Sequence, residues 1–146
     1  MSTYDKNLFY LKEAIFAKLN NDSALQALLG GSGKIHHRDI PQEPSYPCIL
    51  YEIISDNDTP YNELQEAGKI TKTFFRIIIF VDDSTSEKSD NIESRIKTLL
   101  NGQSLLDTTK IICYSCYREM LLQPFRDPDL QVWVTPTRYR VTWATK

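Results

Sequence analysis

The sequence predicts an α+β fold, with helices packed on one face of a mostly antiparallel four-stranded sheet. Three observations carry that expectation. Apolar residues recur at helical spacing over residues 4–20 and again over 84–101. Runs rich in β-branched and aromatic residues occupy 49–54, 69–81, 110–118 and 131–143. These runs come in pairs whose members are joined by turn-forming residues, so neighbours pair antiparallel. A length of 146 residues with 41% hydrophobic content suits a single domain over 1–146.

The first helix is expected from Tyr4 to Asn20, because Tyr4, Leu8, Leu11, Ile15 and Leu19 fall on one face. Asp22 or Ser23 then caps a short second helix carrying Leu25, Leu28 and Leu29, and Gly30-Gly31 ends it by admitting left-handed backbone. Pro41, Pro44 and Pro47 deny helix to the residues before them and aim the chain into a strand that starts near Cys48. The acidic segment Asp56–Gly68, holding Pro60, reads as a long projecting loop between two hairpin strands. Ser84 to Glu87 has the capping-box form, and Ile92, Ile96, Leu99 and Leu100 follow at helical spacing up to Asn101-Gly102. The last hairpin turns at Asp127-Pro128-Asp129, and Trp133, Tyr139, Val141 and Trp143 share one parity on its final strand.

Charge and composition exclude several function classes. Seventeen basic against nineteen acidic residues leave a net charge of −2, which gives no general field for holding nucleic acid. No apolar run approaches the roughly 20 residues that span a bilayer, and the polar helical start differs from a signal core, so use in a cytoplasm is expected. His36 and His37 adjoin in extended chain and point to opposite faces, which disfavours chelation by the pair. Cys113 and Cys116, three apart on a strand, are likewise expected to face opposite sides and to serve packing, not redox or zinc chemistry. No nucleophile elbow or phosphate-cradling glycine loop is present; Gly30-Gly-Ser-Gly33 lacks the lysine-serine ending. No catalytic, cofactor or metal residues are assigned.

The surfaces are more informative. On 69–81 one parity, Thr71, Thr73, Phe75, Ile77, Ile79 and Val81, reads as core, and the other mixes Lys72, Phe74 and Arg76 with Ile70, Ile78 and Phe80. Arg138 and Arg140 supply a matching polar face on the last strand, and aromatic-arginine mixtures are enriched at protein interfaces. Met120, Leu121, Leu122 and Phe125 add an apolar candidate at a strand end. Asp56, Asp58, Tyr61, Glu63 and Glu66 mark the projecting loop.

The order of elements and several local phrases resemble the tail terminator or tail-completion proteins of tailed bacteriophages. The phrases are Asp22-Ser-Ala-Leu-Gln-Ala-Leu-Leu-Gly30, Lys34-Ile35 leading to Ile40-Pro41, Tyr46-Pro-Cys-Ile-Leu-Tyr51, and a strand ending at Val81 that runs into the 84–101 helix. The final hairpin at Asp127–Asp129 completes the likeness, which covers nearly the whole chain. It implies a structural virion protein, assembled in the host cytoplasm, that forms a homohexameric ring on the head-proximal end of the tail tube. Its partners would be further copies of itself, the tail tube protein and a neck or head-completion protein, with DNA only as passing cargo and no membrane. The loop would face the ring channel or a neighbouring ring, where acidic groups keep DNA from sticking. The competing class is a small cytoplasmic α+β enzyme or regulatory ligand-binding domain, told apart by whether the chain becomes multimeric.

Overall fold

The structure is a computed structural model that describes residues 8–42, 44–58, 70–82, 87–103 and 106–145. Helix α1 spans Leu8–Asn20 and α2 Ser23–Leu29; strands β1 (Ile35–His37), β2 (Cys48–Asp58) and β3 (Thr71–Val81) follow. Helix α3 covers Glu87–Leu100, and β4 (Ile111–Leu121), β5 (Phe125–Asp127) and β6 (Val132–Thr145) complete the chain. The α+β class is as expected. Among the described residues, however, the sheet has six strands, not four, in the order β1-β2-β3-β6-β4, with β5 also on β6, and β1 pairs parallel to β2. The two strands missed, β1 and β5, are three residues each, too short to display an alternation. The proline-bearing segment between His37 and Cys48 is what brings β1 back beside β2 in the same direction.

The helices close one face of the sheet. Leu11, Ile15 and Leu19 of α1, Leu25 and Leu29 of α2, and Ile92, Ile96, Leu99 and Leu100 of α3 are buried in one cluster with Phe75, Ile77, Ile79, Val81, Tyr139, Val141 and Trp143. The parity predicted for β3 is thus correct, with its six odd residues buried. Within this cluster Phe75 stacks on Tyr139 at 5.4 Å, and the Trp143 indole N–H donates to the Thr73 hydroxyl at 2.8 Å, which satisfies a polar group that burial would otherwise leave unpaired. Tyr4 and Ser84 lie outside the described residues.

Asp22 is the N-cap of α2. Its carboxylate accepts from the Leu25 N–H at 2.8 Å and also takes two bonds from Arg95 of α3, at 2.6 and 2.8 Å. One side chain therefore both starts a helix and ties it to another. At the far end of α2, Gly30 takes φ +81° and its N–H caps Ala27.

Two local expectations need correction. Cys113 and Cys116 do not face opposite sides: a bulge at Tyr114 shifts the register, so the two stand opposite Trp143 and Val141, and both are fully buried in the helix-side core. The shared parity of Trp133, Tyr139, Val141 and Trp143 is as expected, although Trp133, opposite Val81 at the end of the sheet, is only half-buried, whereas Val132 and Val134 on the other parity are buried where β5 pairs alongside. Strand β2 continues through Asp58, which pairs with Thr71, so Asp56–Asp58 belong to the hairpin arm and not to a loop. Pro136 has a clear place: it lies on β6 between the residues paired with β5 and those paired with β4, where a missing N–H costs no ladder bond to either.

Candidate functional surfaces

The face of the sheet away from the helices changes character along its length. At one end Cys48, Leu50, Val132 and Val134 are buried and Ile78 and Phe80 half-buried. At the other, Lys72, Arg76 and Arg140 are exposed and Phe74 and Arg138 half-exposed. Register places Arg76 directly opposite Arg138, and Phe74 opposite Arg140. Two like charges side by side repel, and two carboxylates offset this: Glu52 on β2 pairs with Arg76, and Glu119 on β4 lies 2.8 Å from Arg138 Nε. The latter contact is an ion pair whose N–H is not aimed at the carboxylate, since Arg138 Nε makes no aligned hydrogen bond among the described residues. The Arg138 guanidinium also lies over the Phe74 ring at 4.6 Å. Arg76 and Arg138 are therefore already engaged within the chain, while Lys72 and Arg140 stand at the exposed positions.

Met120, Leu121, Leu122 and Phe125 are all exposed, at 44–51%. Met120 sits opposite Arg138 on β6, so the structure joins the apolar run to the arginine face along one margin of the sheet. Tyr114, Tyr117 and Leu130 are exposed too and were not singled out from sequence. Tyr117 faces Arg140 across the ladder, the aromatic-arginine pairing that named the other candidates. The margin is an edge strand, yet much of its backbone is occupied. Gly102 exchanges bonds with Cys116 at 2.7 and 2.8 Å, the Arg118 N–H donates to Asn101, and the Cys113 N–H donates to Asp107. Among the described residues, the end of β4 lacks such cover from the segment after α3.

A second surface, which sequence reasoning missed, lies at the opposite edge. Strand β1 stops at His37 while β2 runs on to Asp58, and the step between them forms a recess of about 450 Å³. Lys12 of α1, His37, Arg38 and Arg76 line it together with Glu52. Burial, then the nearby charges of Lys12 and Arg38, push the His37 imidazole below its ordinary pKa. Beside it a groove of about 330 Å³ runs past Phe9 and Phe16, whose rings are 61% and 39% exposed. These two residues, seven apart and off the buried stripe of α1, were the signal in the sequence. Of the candidate loop residues, Tyr61, Glu63 and Glu66 lie outside the described residues, and Asp56 and Asp58 stand on the arm of β2.

The three thiols are shielded from solvent. Cys48, Cys113 and Cys116 are free thiols, all buried; burial pushes Cys48 up to about 11 and Cys116 higher still, so both are protonated at neutral pH. Among the described residues no group of three or more His, Cys, Asp or Glu side chains could hold a metal. No described helix is long and apolar enough to cross a membrane.

A body sealed by helices on one face and patterned with aromatic, apolar and arginine residues on the other is a domain that works through its surfaces. Among solved structures, one titled as the virion of a native gene transfer agent particle matches it with a TM-score of 0.68 at 14% identity, over 93% of this chain and 95% of that one. A second solved chain matches at TM-score 0.59 and 8% identity, over 97% of both. Likenesses at such identities establish the fold. No curated protein matches the sequence. The family model described as tail completion protein gp17 matches residues 13–116, and the chain belongs to that family. It is accordingly a structural, non-enzymatic protein of the phage-particle tail.

Proposed function

We propose that this chain forms a homohexameric ring on the head-proximal end of a phage tail tube and joins it to the neck. The observation that carries the reading is the tail-completion family match over residues 13–116. The surfaces fit the role. A ring subunit must present different patches to its two neighbours. Met120, Leu121, Leu122 and Phe125 lie toward the β4 side of the sheet with Arg138 and Arg140 of β6 beside them, Lys12 and Arg38 lie toward the β1 side, and the two surfaces adjoin where Arg76 on β3 stands opposite Arg138. The tube protein and a neck or head-completion protein are the remaining partners, and DNA only passes through. In this reading the acidic segment Asp56–Gly68 projects from the body, toward the ring channel or a neighbouring ring.

Removal of the gene from its phage tests the role. Filled heads should accumulate together with tails that are over-long or unjoined. Trimming only residues 59–68 should leave the domain folded, because shortening a loop changes closure entropy slightly, while joining fails. Normal infectious particles from the deleted phage would exclude this function.

A further inference from the structure

The basic recess at the β1 edge offers the acidic segment a different destination, an adjacent copy within the ring. We propose that the acidic hairpin segment of one copy, carrying Asp56, Asp58, Glu63 and Glu66, seats in the Lys12–Arg38–Arg76 recess of the adjacent copy. The inference rests on the ring reading above and adds which parts of two subunits meet.

Charge is the first argument. Between Ser55 and Gly68 the sequence has four carboxylates and no basic residue. The recess has three cationic side chains against the single carboxylate of Glu52, a net of +2 with His37 neutral. Asp39 follows Arg38 but does not line it. Opposed potentials of this kind steer encounter and fix register between protein surfaces.

Shape and apolar content agree. Tyr61 and Leu64 punctuate the acidic segment, and the groove opening beside the recess exposes Phe9 and Phe16, although Glu13 also lines it and lowers the net charge of recess and groove together to +1. An acidic segment with apolar anchors therefore meets a basic recess with an apolar annex.

Position favours a neighbour's segment over the chain's own. Glu52 and Arg76 stand opposite each other on the β2–β3 ladder, and the arm runs a further six positions to the Asp58–Thr71 pair. At about 3.3 Å per residue the arm carries the segment roughly 20 Å away from the recess of its own subunit. A chain's own recess lies back along that distance from the end of the arm, a constraint that a neighbour's recess does not impose. A closed ring of identical subunits also requires two unlike, complementary patches on each copy.

The full-length chain tests this by charge exchange and cross-linking. Lys12→Glu with Arg38→Asp reverses the recess; aspartate tolerates the left-handed φ of +75° at position 38. Glu63→Lys with Glu66→Lys reverses the segment. Each pair should keep the unmodified far-ultraviolet circular dichroism and lower the ring fraction in light scattering by roughly an order of magnitude, the scale of a few close interfacial charge pairs. Combining all four substitutions should restore the ring. In parallel, Lys12→Cys and Glu63→Cys are made in separate copies; because the native thiols are buried, a short bismaleimide should reach the new ones and give covalent dimers only from the mixture. Rings that persist through both reversals, or a link formed only inside one chain carrying both cysteines, would overturn the docking and leave the ring standing. An unmodified chain that stays monomeric, even with its tube protein, would overturn the ring and the docking together.

Discussion

The two faces of the sheet use the same strands to opposite ends. On the helix side Phe75, Ile77, Ile79, Tyr139, Val141 and Trp143 are completely buried. One residue along, on the other side, Lys72, Arg76 and Arg140 meet solvent and Phe74 is sandwiched with Arg138. The first set decides whether the chain folds and the second what the folded chain can touch. A change on one face should therefore be read out in stability and a change on the other in association, and the sharpness of that division can be measured.

The largest effect is expected on the buried face. Phe75→Ala removes a stacked ring from the centre of the core and should cost about 3–5 kcal/mol of stability, measured by urea denaturation. A loss under about 1 kcal/mol would mean the core collapses around the gap.

Next comes the point where helices are joined to each other. Asp22→Ala deletes the α2 cap and should cost about 1 kcal/mol through the cap alone. The bond from Arg95, opposed by burial and helped by the Leu25 N–H, holds the Asp22 carboxyl below its ordinary value of 3.8. A group depressed in the folded state stabilises above its unfolded pKa and loses that contribution as pH falls through the folded one. The gap between native chain and variant should thus be full at pH 7 and shrink only below pH 3.8, down through the lower folded value. A gap that closes already near neutrality would contradict the assignment.

On the open face Lys72→Glu with Arg140→Glu should move stability by no more than about 0.5 kcal/mol, as exposed charges do, yet reduce self-association in sedimentation. Equal association would show that this face is only solvated. The smallest effect belongs to the cysteines. The chain purified without a metal-binding tag should carry no stoichiometric zinc or iron, because both Cys113 and Cys116 point into a closed apolar core. One tightly bound equivalent, lost on Cys113→Ser with Cys116→Ser, would refute this.

The division between faces was legible where the strands are long and regular. Alternation along β3 assigned every residue from Thr71 to Val81 to its side, and helical spacing found Leu11, Ile15, Leu19, Ile92 and Ile96. It failed where a single extra residue enters a strand. The bulge at Tyr114 leaves no mark in the sequence, yet it turns Cys116 inward. Short strands escaped for a related reason, since Ile35–His37 and Phe125–Asp127 offer too few residues for any period. The recess was missed because its residues come from α1, β1, β2 and β3, far apart in sequence and unrelated by any periodicity. The apolar quartet at 120–125 was visible as composition, but its junction with Arg138 needed the register of β4 on β6.

The plugging of β4 by the segment after α3 bears on the time before assembly. An unpaired edge is a template for any passing strand, and structural subunits are made in many copies at once in a crowded cell. With Gly102, Asn101 and Asp107 already occupying the backbone of Cys113, Cys116 and Arg118, a newly made copy offers strangers little beyond the last few residues of that strand. Loosening that plug, for instance by Asn101→Ala, should shorten the time a concentrated stock stays clear long before it alters the finished particle.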